Sequence, residues 1–151
     1  MRSKLHQGFA GSISQAELEY AAGFFDGDGC VYAALTGLIG CSLSVSQTSD
    51  RGEALLMLYS AFGGSIRILR QGIGAWKPSI QWVCGGADAQ KAALELSRVS
   101  FVKRPQLQIA ANWPSCRDER KRLASRLKQL KHIPPTEFDF ESSLAICGWF
   151  L

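Results

Sequence analysis

Two pairs of segments with alternating hydrophobic and polar residues predict two β-hairpins in this chain. Residues 41–47 alternate most regularly, with leucine and valine on one side and serines on the other, and residues 31–36 follow the same two-residue period. Residues 65–70 and 79–84 form the second pair, joined by a glycine-containing loop. Each hairpin should bury one face, which in the second hairpin would consist of Ile66, Ile68, Ile80 and Trp82.

Helices are predicted before, between and after the hairpins. Ser14 and Glu17 have the spacing of a capping box, in which the serine accepts a backbone N–H and the glutamate reaches back. The helix that they open should end near Gly27 and Gly29. Further helices are expected at residues 51–62, 87–98, 105–112 and 115–131, with Pro105 and Ser115 in first-turn positions.

This order of elements predicts an α+β fold of the αββαββα type, followed by two more helices. The four strands would form one antiparallel, saddle-shaped sheet with the helices on one face. The opposite face would be polar and uncovered, so it calls for a partner. Because a two-stranded ribbon fits the major groove of DNA, double-stranded DNA is a candidate.

Length and composition limit the class of protein. A chain of 151 residues with 46% hydrophobic and 20% charged residues can fold as one domain with its own core. We expect that domain at residues 1–133 and an extension at residues 134–151. Five cysteines without close pairing argue against a disulfide framework or a zinc site and favour reduced, buried thiols. No secretory signal or membrane anchor is recognisable, and no membrane partner is expected.

The charge is distributed unevenly along the chain. The net charge is +4, but residues 98–131 contain ten lysines and arginines and two acidic residues. Such a segment is typical of a surface that binds a polyanion. A solvated helix face would explain the same charges.

The residues from Ala21 to Gly29, AAGFFDGDG, carry the clearest functional signal. They resemble the nine-residue signature of the LAGLIDADG homing endonucleases, with alanine in place of leucine at the first position. They also lie where that family has the signature, at the end of a helix and ahead of a hairpin, and the resemblance extends over residues 14–131. It implies a single-motif enzyme that cuts double-stranded DNA at a specific site as a homodimer, with Mg²⁺ as cofactor and no small-molecule substrate.

The resemblance also assigns roles to individual residues. Asp28 and the Gly27 carbonyl would hold the metal, Gln47 and Lys103 would position or polarise water, and Arg51 would stabilise charge. For the last three residues other roles stay open. They could be a strand-end cap, a phosphate contact without chemistry and a surface charge at a helix start, respectively.

Glycines on the first helix point to a contact between two helices. Gly23 and Gly27 are four residues apart and therefore lie on one helix face. Each costs about 1 kcal/mol relative to alanine within a helix, which a close approach of two backbones would explain. With Ala22 and Asp26 they form the expected dimer interface. The resemblance implies that Asp26 also orders the helix end.

Outward-facing strand residues are expected to read bases, and the basic last helix to contact phosphates. The strand residues are mostly short and weakly polar, and one arginine among them can form a bidentate contact with guanine. Specificity would therefore be low, or it would depend on DNA shape and water. The expected DNA contacts are Tyr32, Ala34, Thr36, Ser42, Ser44, Arg67, Leu69, Gln81, Arg117 and Lys121.

Alternative interpretations remain open. A simple Asp–Gly turn would explain the acidic pair taken alone, whereas a calcium loop of the EF-hand type is excluded because glycine stands at its twelfth position. The same scaffold could bind nucleic acid without cutting it, as an intron maturase or a decayed homing endonuclease does. Residues 141–151 faintly resemble the opening of a second motif, so the chain could be half of a two-motif protein. A chloroplast or mitochondrial location is implied by the resemblance alone.

Overall fold

A computed structural model describes residues 12–34 and 40–132 of the protein. The elements in these ranges are α1 Gln15–Asp28, β1 Gly29–Ala33, β2 Cys41–Thr48, a 3-10 turn Ser49–Arg51, α2 Glu53–Phe62, β3 Ser65–Arg70, β4 Ser79–Gly85, α3 Gly86–Val99, α4 Arg104–Ala111 and α5 Arg117–Leu130. The predicted α+β order is confirmed. Thr36 and the expected extension at residues 134–151 lie outside the described residues.

The strands form one antiparallel sheet in the order β1-β2-β4-β3. The register places Val31 opposite Leu43 and Val45 opposite Trp82, and all four side chains are buried. These positions define the inner face of the sheet. The alternating positions between them form the outer face, which includes Tyr32 and the three serines of β2.

The helices pack on the inner face and close a single hydrophobic core. Phe25 of α1, Leu55 of α2 and Leu96 of α3 are fully buried in it, together with Trp82. The indole N–H of Trp82 donates to the Gly63 carbonyl at 2.8 Å, so this large side chain is buried with its polar atom satisfied. No helix of the described residues is both long and apolar enough to cross a membrane.

Specific residues determine where α1 begins and where it ends. Ser14 caps α1 through the predicted capping box with Glu17, which is confirmed. At the other end, β1 begins directly after the helix. A Cβ on Gly29 would lie 2.5 Å from the Phe25 ring, so glycine is required at this tight exit.

Several predicted boundaries were wrong. Arg51 does not open an α-helix, because it lies in the 3-10 turn and α2 begins after Gly52. Ser115 is not in the first turn of α5, which begins two residues later. Ile68 shares a side with Ile80 but is 59% exposed, since it lies near the end of an edge strand where the register is irregular.

The cysteines in the described ranges are all free, namely Cys30, Cys41, Cys84 and Cys116. Cys41 and Cys84 are buried as expected, and burial raises the pKa of each thiol to about 12. Cys116, by contrast, is exposed. The predicted burial is therefore confirmed for these two core cysteines and is wrong for Cys116, while Cys30 is partly buried.

Candidate active site and nucleic-acid interface

Asp28 ends α1 with its side chain exposed to solvent. Gly29 pairs with Val45, so the end of α1 lies next to the last residues of β2, which include Gln47. The Gln47 amide donates from Nε2 to Asp28 Oδ2 at 2.6 Å. This bond orients the carboxylate, and Gln47 retains its amide oxygen as a further acceptor.

Asp26 is held within its own chain. Its carboxylate accepts hydrogen bonds from the Ser100 hydroxyl and from the backbone N–H groups of Phe101, Val102 and Lys103, the last three at 2.8, 3.1 and 2.9 Å. Burial alone would raise the pKa of Asp26, but these hydrogen bonds together outweigh burial and lower the pKa. Asp26 therefore fastens the end of α1 to the loop between α3 and α4.

Lys103 completes the same connection in the opposite direction. Its ammonium donates to the carbonyls of Phe25 at 3.0 Å, Asp26 at 2.9 Å and Gly27 at 3.5 Å. A cation there offsets the negative end of the helix dipole and caps the last carbonyls of α1. Burial lowers the pKa of Lys103, although the charge of Asp26 opposes this effect. The geometry gives Lys103 a role at the helix end, and its action on water stays a prediction.

Arg51 is exposed and lies at the same end of the sheet, in the 3-10 turn that follows β2. In the described ranges, no hydrogen bond joins Arg51 to Asp28, Gln47 or Lys103. The structure thus brings three of the four expected catalytic residues to one helix end. The fourth, Arg51, lies in the turn after β2 and, among the described residues, forms no hydrogen bond with the other three.

The donor groups around Asp28 are suited to a hard cation. The Asp28 carboxylate, the Gly27 carbonyl and the Gln47 amide offer oxygen ligands, which Mg²⁺ and Ca²⁺ prefer. Among the residues that the structure describes, no three histidine, cysteine or acidic side chains are grouped so that they could hold a metal. Asp28 is the exposed carboxylate at this point among the described residues, and a complete metal site would need further ligands.

Two of the four residues expected at a dimer interface on α1 are exposed in the single chain, and their contact with a second copy stays a prediction. Gly23 and Gly27 are exposed, and a Cβ placed on either would meet no atom of the chain within 4 Å. Ala22, however, is fully buried in its own core, and the carboxylate of Asp26 is bound to the loop after α3. These two residues therefore lie behind the face, and the exposed part of the predicted interface consists of Gly23 and Gly27.

The outer face carries most of the expected base-reading residues. The register aligns Tyr32 with Ser42 and aligns Gln81 with Arg67. Arg67 donates from Nε and Nη2 to the Gln81 amide oxygen at 3.1 and 2.8 Å. Ser44 lies on this face too, Ala34 follows β1, and Leu69 is 49% exposed in the irregular part of β3. Contact with DNA stays a prediction for each of them.

A basic flank adjoins this face at the β1 edge. Arg117 and Lys121 are exposed on α5, which packs against β1. After α5, the Lys131 ammonium lies 3.2 Å from Cys30 Sγ and 6.0 Å from the centre of the Tyr32 ring. Sequence reasoning missed this cation on the outer face because 101 residues separate the partners. The excess of basic residues at 98–131 was the one signal for it.

No protein-family model matches the sequence, and no curated protein matches it. The solved structure of the homing endonuclease I-CvuI in complex with its target in the presence of Ca has a TM-score of 0.62, with 23% identity over 91% of this chain and 98% of that chain. I-CvuI in complex with the I-CreI target, with Mg and DNA not cleaved, gives the same values. The LAGLIDADG homing endonuclease I-SmaMI, bound to cleaved DNA, has a TM-score of 0.51, with 14% identity over 93% of this chain and 50% of that chain. The chain therefore has the fold of the LAGLIDADG homing endonucleases.

Proposed function

We propose that this chain is a single-motif LAGLIDADG homing endonuclease, which cuts double-stranded DNA as a homodimer. One observation carries the proposal: an exposed acid, Asp28, is oriented by Gln47 at 2.6 Å at the tip of a helix whose outer face bears two glycines. The fold that presents it resembles that of I-CvuI bound to its DNA target.

The glycine face gives a reason for two copies. Two α1 helices that meet through Gly23 and Gly27 can approach closely, because neither residue has a side chain. Each helix then contributes its Asp28 to a common centre. The second carboxylate supplies the ligand that one chain lacks.

In the proposed mechanism, Asp28, the Gly27 carbonyl and Gln47 would hold a divalent cation. When bound, such a cation neutralises charge on the scissile phosphate and lowers the pKa of its water. The chain's own contribution is positional. Gln47 orients Asp28, and Lys103 caps the carbonyls of the last turn of α1. Arg51, in the turn after β2, stabilises charge on the phosphate.

The proposed DNA path follows from shape and charge. The outer face of the sheet presents small polar side chains to the major groove, and α5 offers cations to the phosphates along the β1 edge. Binding of this kind weakens as salt rises, because phosphate contacts release counterions.

Cleavage of a randomised pool of duplexes in Mg²⁺ tests the proposal. The wild-type protein should produce double-strand cuts, and Asp28→Asn should abolish them while DNA binding persists. Asp88→Asn, which removes an exposed acid at the start of α3, is the matched control and should cut normally. Salt-dependent binding without cuts would favour the non-cleaving alternative, and the absence of salt-dependent binding would contradict both.

A further inference from the structure

The loop between β3 and β4 presents two large apolar side chains to solvent. Ile73 is 76% exposed and Trp76 is 78% exposed. They face each other across an antiparallel bridge, in which each backbone N–H donates to the other's carbonyl at 3.2 and 3.0 Å. Gly74, with φ of 60°, makes the tight turn between them. Two side chains of this size on one tip differ from the isolated exposed hydrophobic residues that are normal on protein surfaces.

This tip is fixed to the end of the sheet that carries Asp28. Lys77 forms an ion pair with Asp50, and the Pro78 carbonyl accepts the Ser49 N–H at 2.9 Å. β4 then starts at Ser79, which pairs with Thr48, one residue after Gln47. The loop is therefore tethered to the 3-10 turn that contains Arg51, beside the candidate active site.

The charge around the tip indicates what covers it. Residues 65–86 contain Arg67, Arg70 and Lys77 and no acidic residue. Lys77 is paired with Asp50, so among the described residues the uncompensated positive charge of this hairpin comes from Arg67 and Arg70. An apolar tip within a cationic hairpin matches nucleic acid, whose phosphates attract the cations and whose stacked bases accept an apolar wedge. A protein partner would bury the tip as well, but it would not call for this excess of positive charge.

We propose that Trp76, supported by Ile73, is an apolar wedge that stacks on the bases of the bound duplex beside the cleaved phosphates and opens a base step there. This inference rests on the proposed function and adds a DNA contact outside the strand faces. The backbone bridge holds the wedge in place before DNA arrives, so little ordering is needed on binding.

The test uses the full chain in an Asp28→Asn background, which keeps the DNA intact, and a duplex enriched by binding from a random pool. Trp76→Ala should weaken binding by roughly 5- to 150-fold, the range for loss of one stacked base. Trp76→Phe, which keeps an aromatic ring, should retain most of the affinity. Permanganate should oxidise unstacked thymines near the cut position in the parent and Trp76→Phe complexes and should not do so with Trp76→Ala.

Leu56→Ala is the matched control, because Leu56 is an exposed apolar residue (59%) on α2, and this change should leave both readouts as in the parent. Parental affinity and thymine reactivity in Trp76→Ala would overturn the wedge while leaving the proposed function intact. Conversion of a dimer to a monomer by Trp76→Ala would also overturn it, since the tip would then contact a second copy. If the parent binds no duplex, the proposed function fails and the wedge fails with it.

Discussion

Asp26 and Lys103 join two segments of the chain at the level of single atoms. The carboxylate of Asp26 accepts four hydrogen bonds from residues 100–103, and the Lys103 ammonium binds three carbonyls of α1 in return. Asp28 lies two residues beyond Asp26 at the end of the same helix. The position of the exposed acid therefore depends on contacts that the neighbouring residue Asp26 and the distant Lys103 make within the chain.

Replacing Asp26 by asparagine should lower the free energy of unfolding by about 1–3 kcal/mol, because charged hydrogen bonds to three backbone N–H groups are weakened. The pKa of Asp26 is lowered in the folded chain, so its contribution to stability is present above the ordinary value of about 3.9 and is lost as the pH falls through the lower, folded value. Urea unfolding at neutral and acidic pH measures both effects. Asp118→Asn, on the exposed side of α5, is the control; equal stability and equal acid sensitivity in the two variants would contradict the assignment.

Arg67 and Gln81 allow a prediction about base preference. Gln81 accepts from the Nε and Nη2 side of the guanidinium, which leaves the other edge with two parallel donors for O6 and N7 of guanine. The DNA sites selected by the wild-type protein should contain one guanine per half-site at the position that Arg67 contacts. In the Arg67→Gln variant the base preference at that position should change from guanine to adenine. Arg98→Gln, on α3, should leave the selected sequence unchanged. A wild-type site without such a guanine would refute this prediction.

At this scale the sequence predicted residues within one motif better than contacts between distant segments. The helix pattern predicted that Asp28 lies at a helix end, and the resemblance to the family implied that Gln47 belongs to the same site; in the structure a hydrogen bond joins the two residues. The hydrogen-bond partners of Asp26, by contrast, lie 74 to 77 residues away along the chain. Cys30, which the Lys131 ammonium contacts, lies 101 residues from Lys131. No local pattern encodes such pairs, because they arise only when the helices close over the sheet.

At the scale of elements, the two-residue and 3.6-residue periods predicted the strands and helices because one side of each is buried. The errors fall where local chemistry competes with the period. The turn at residues 49–51 interrupts the expected helix before Gly52, and Cys116, not Ser115, precedes α5. Ile68 lies on the predicted side of its strand, but its side chain is exposed to solvent because β3 is an edge strand.

Gly23 and Gly27 have free space at the Cβ position, whereas Gly29 does not, and this difference allows a test of the proposed dimer. Gly23→Ala and Gly27→Ala meet no atom of their own chain, so each should stabilise the isolated chain by about 0.5–1 kcal/mol while weakening self-association. Gly29→Ala should instead destabilise the chain by about 1–3 kcal/mol, because its Cβ would overlap the Phe25 ring. Thermal unfolding and sedimentation measure the two effects separately. Unaltered self-association in the first two variants would remove α1 from the interface.

At the scale of the whole molecule, the αββαββα order and the polar outer face followed from the sequence, because an amphipathic sheet needs helices on one side. The sequence did not predict which residues complete the site. In the proposed homodimer the second acid comes from another copy of the chain, and a pattern within one chain does not encode such a contact.

Subunit mixing in duplex cleavage tests the shared site most directly. Wild-type protein is held constant with DNA in excess, and Asp28→Asn protein is added at a nine-fold ratio, so that about a tenth of the wild-type chains find a wild-type partner. A shared centre predicts that double-strand cutting falls to about that fraction, and that a Gly23→Leu/Asp28→Asn variant, which cannot pair, does not inhibit. Undiminished cutting in the presence of excess Asp28→Asn protein would mean that each chain cuts alone, which contradicts the central claim.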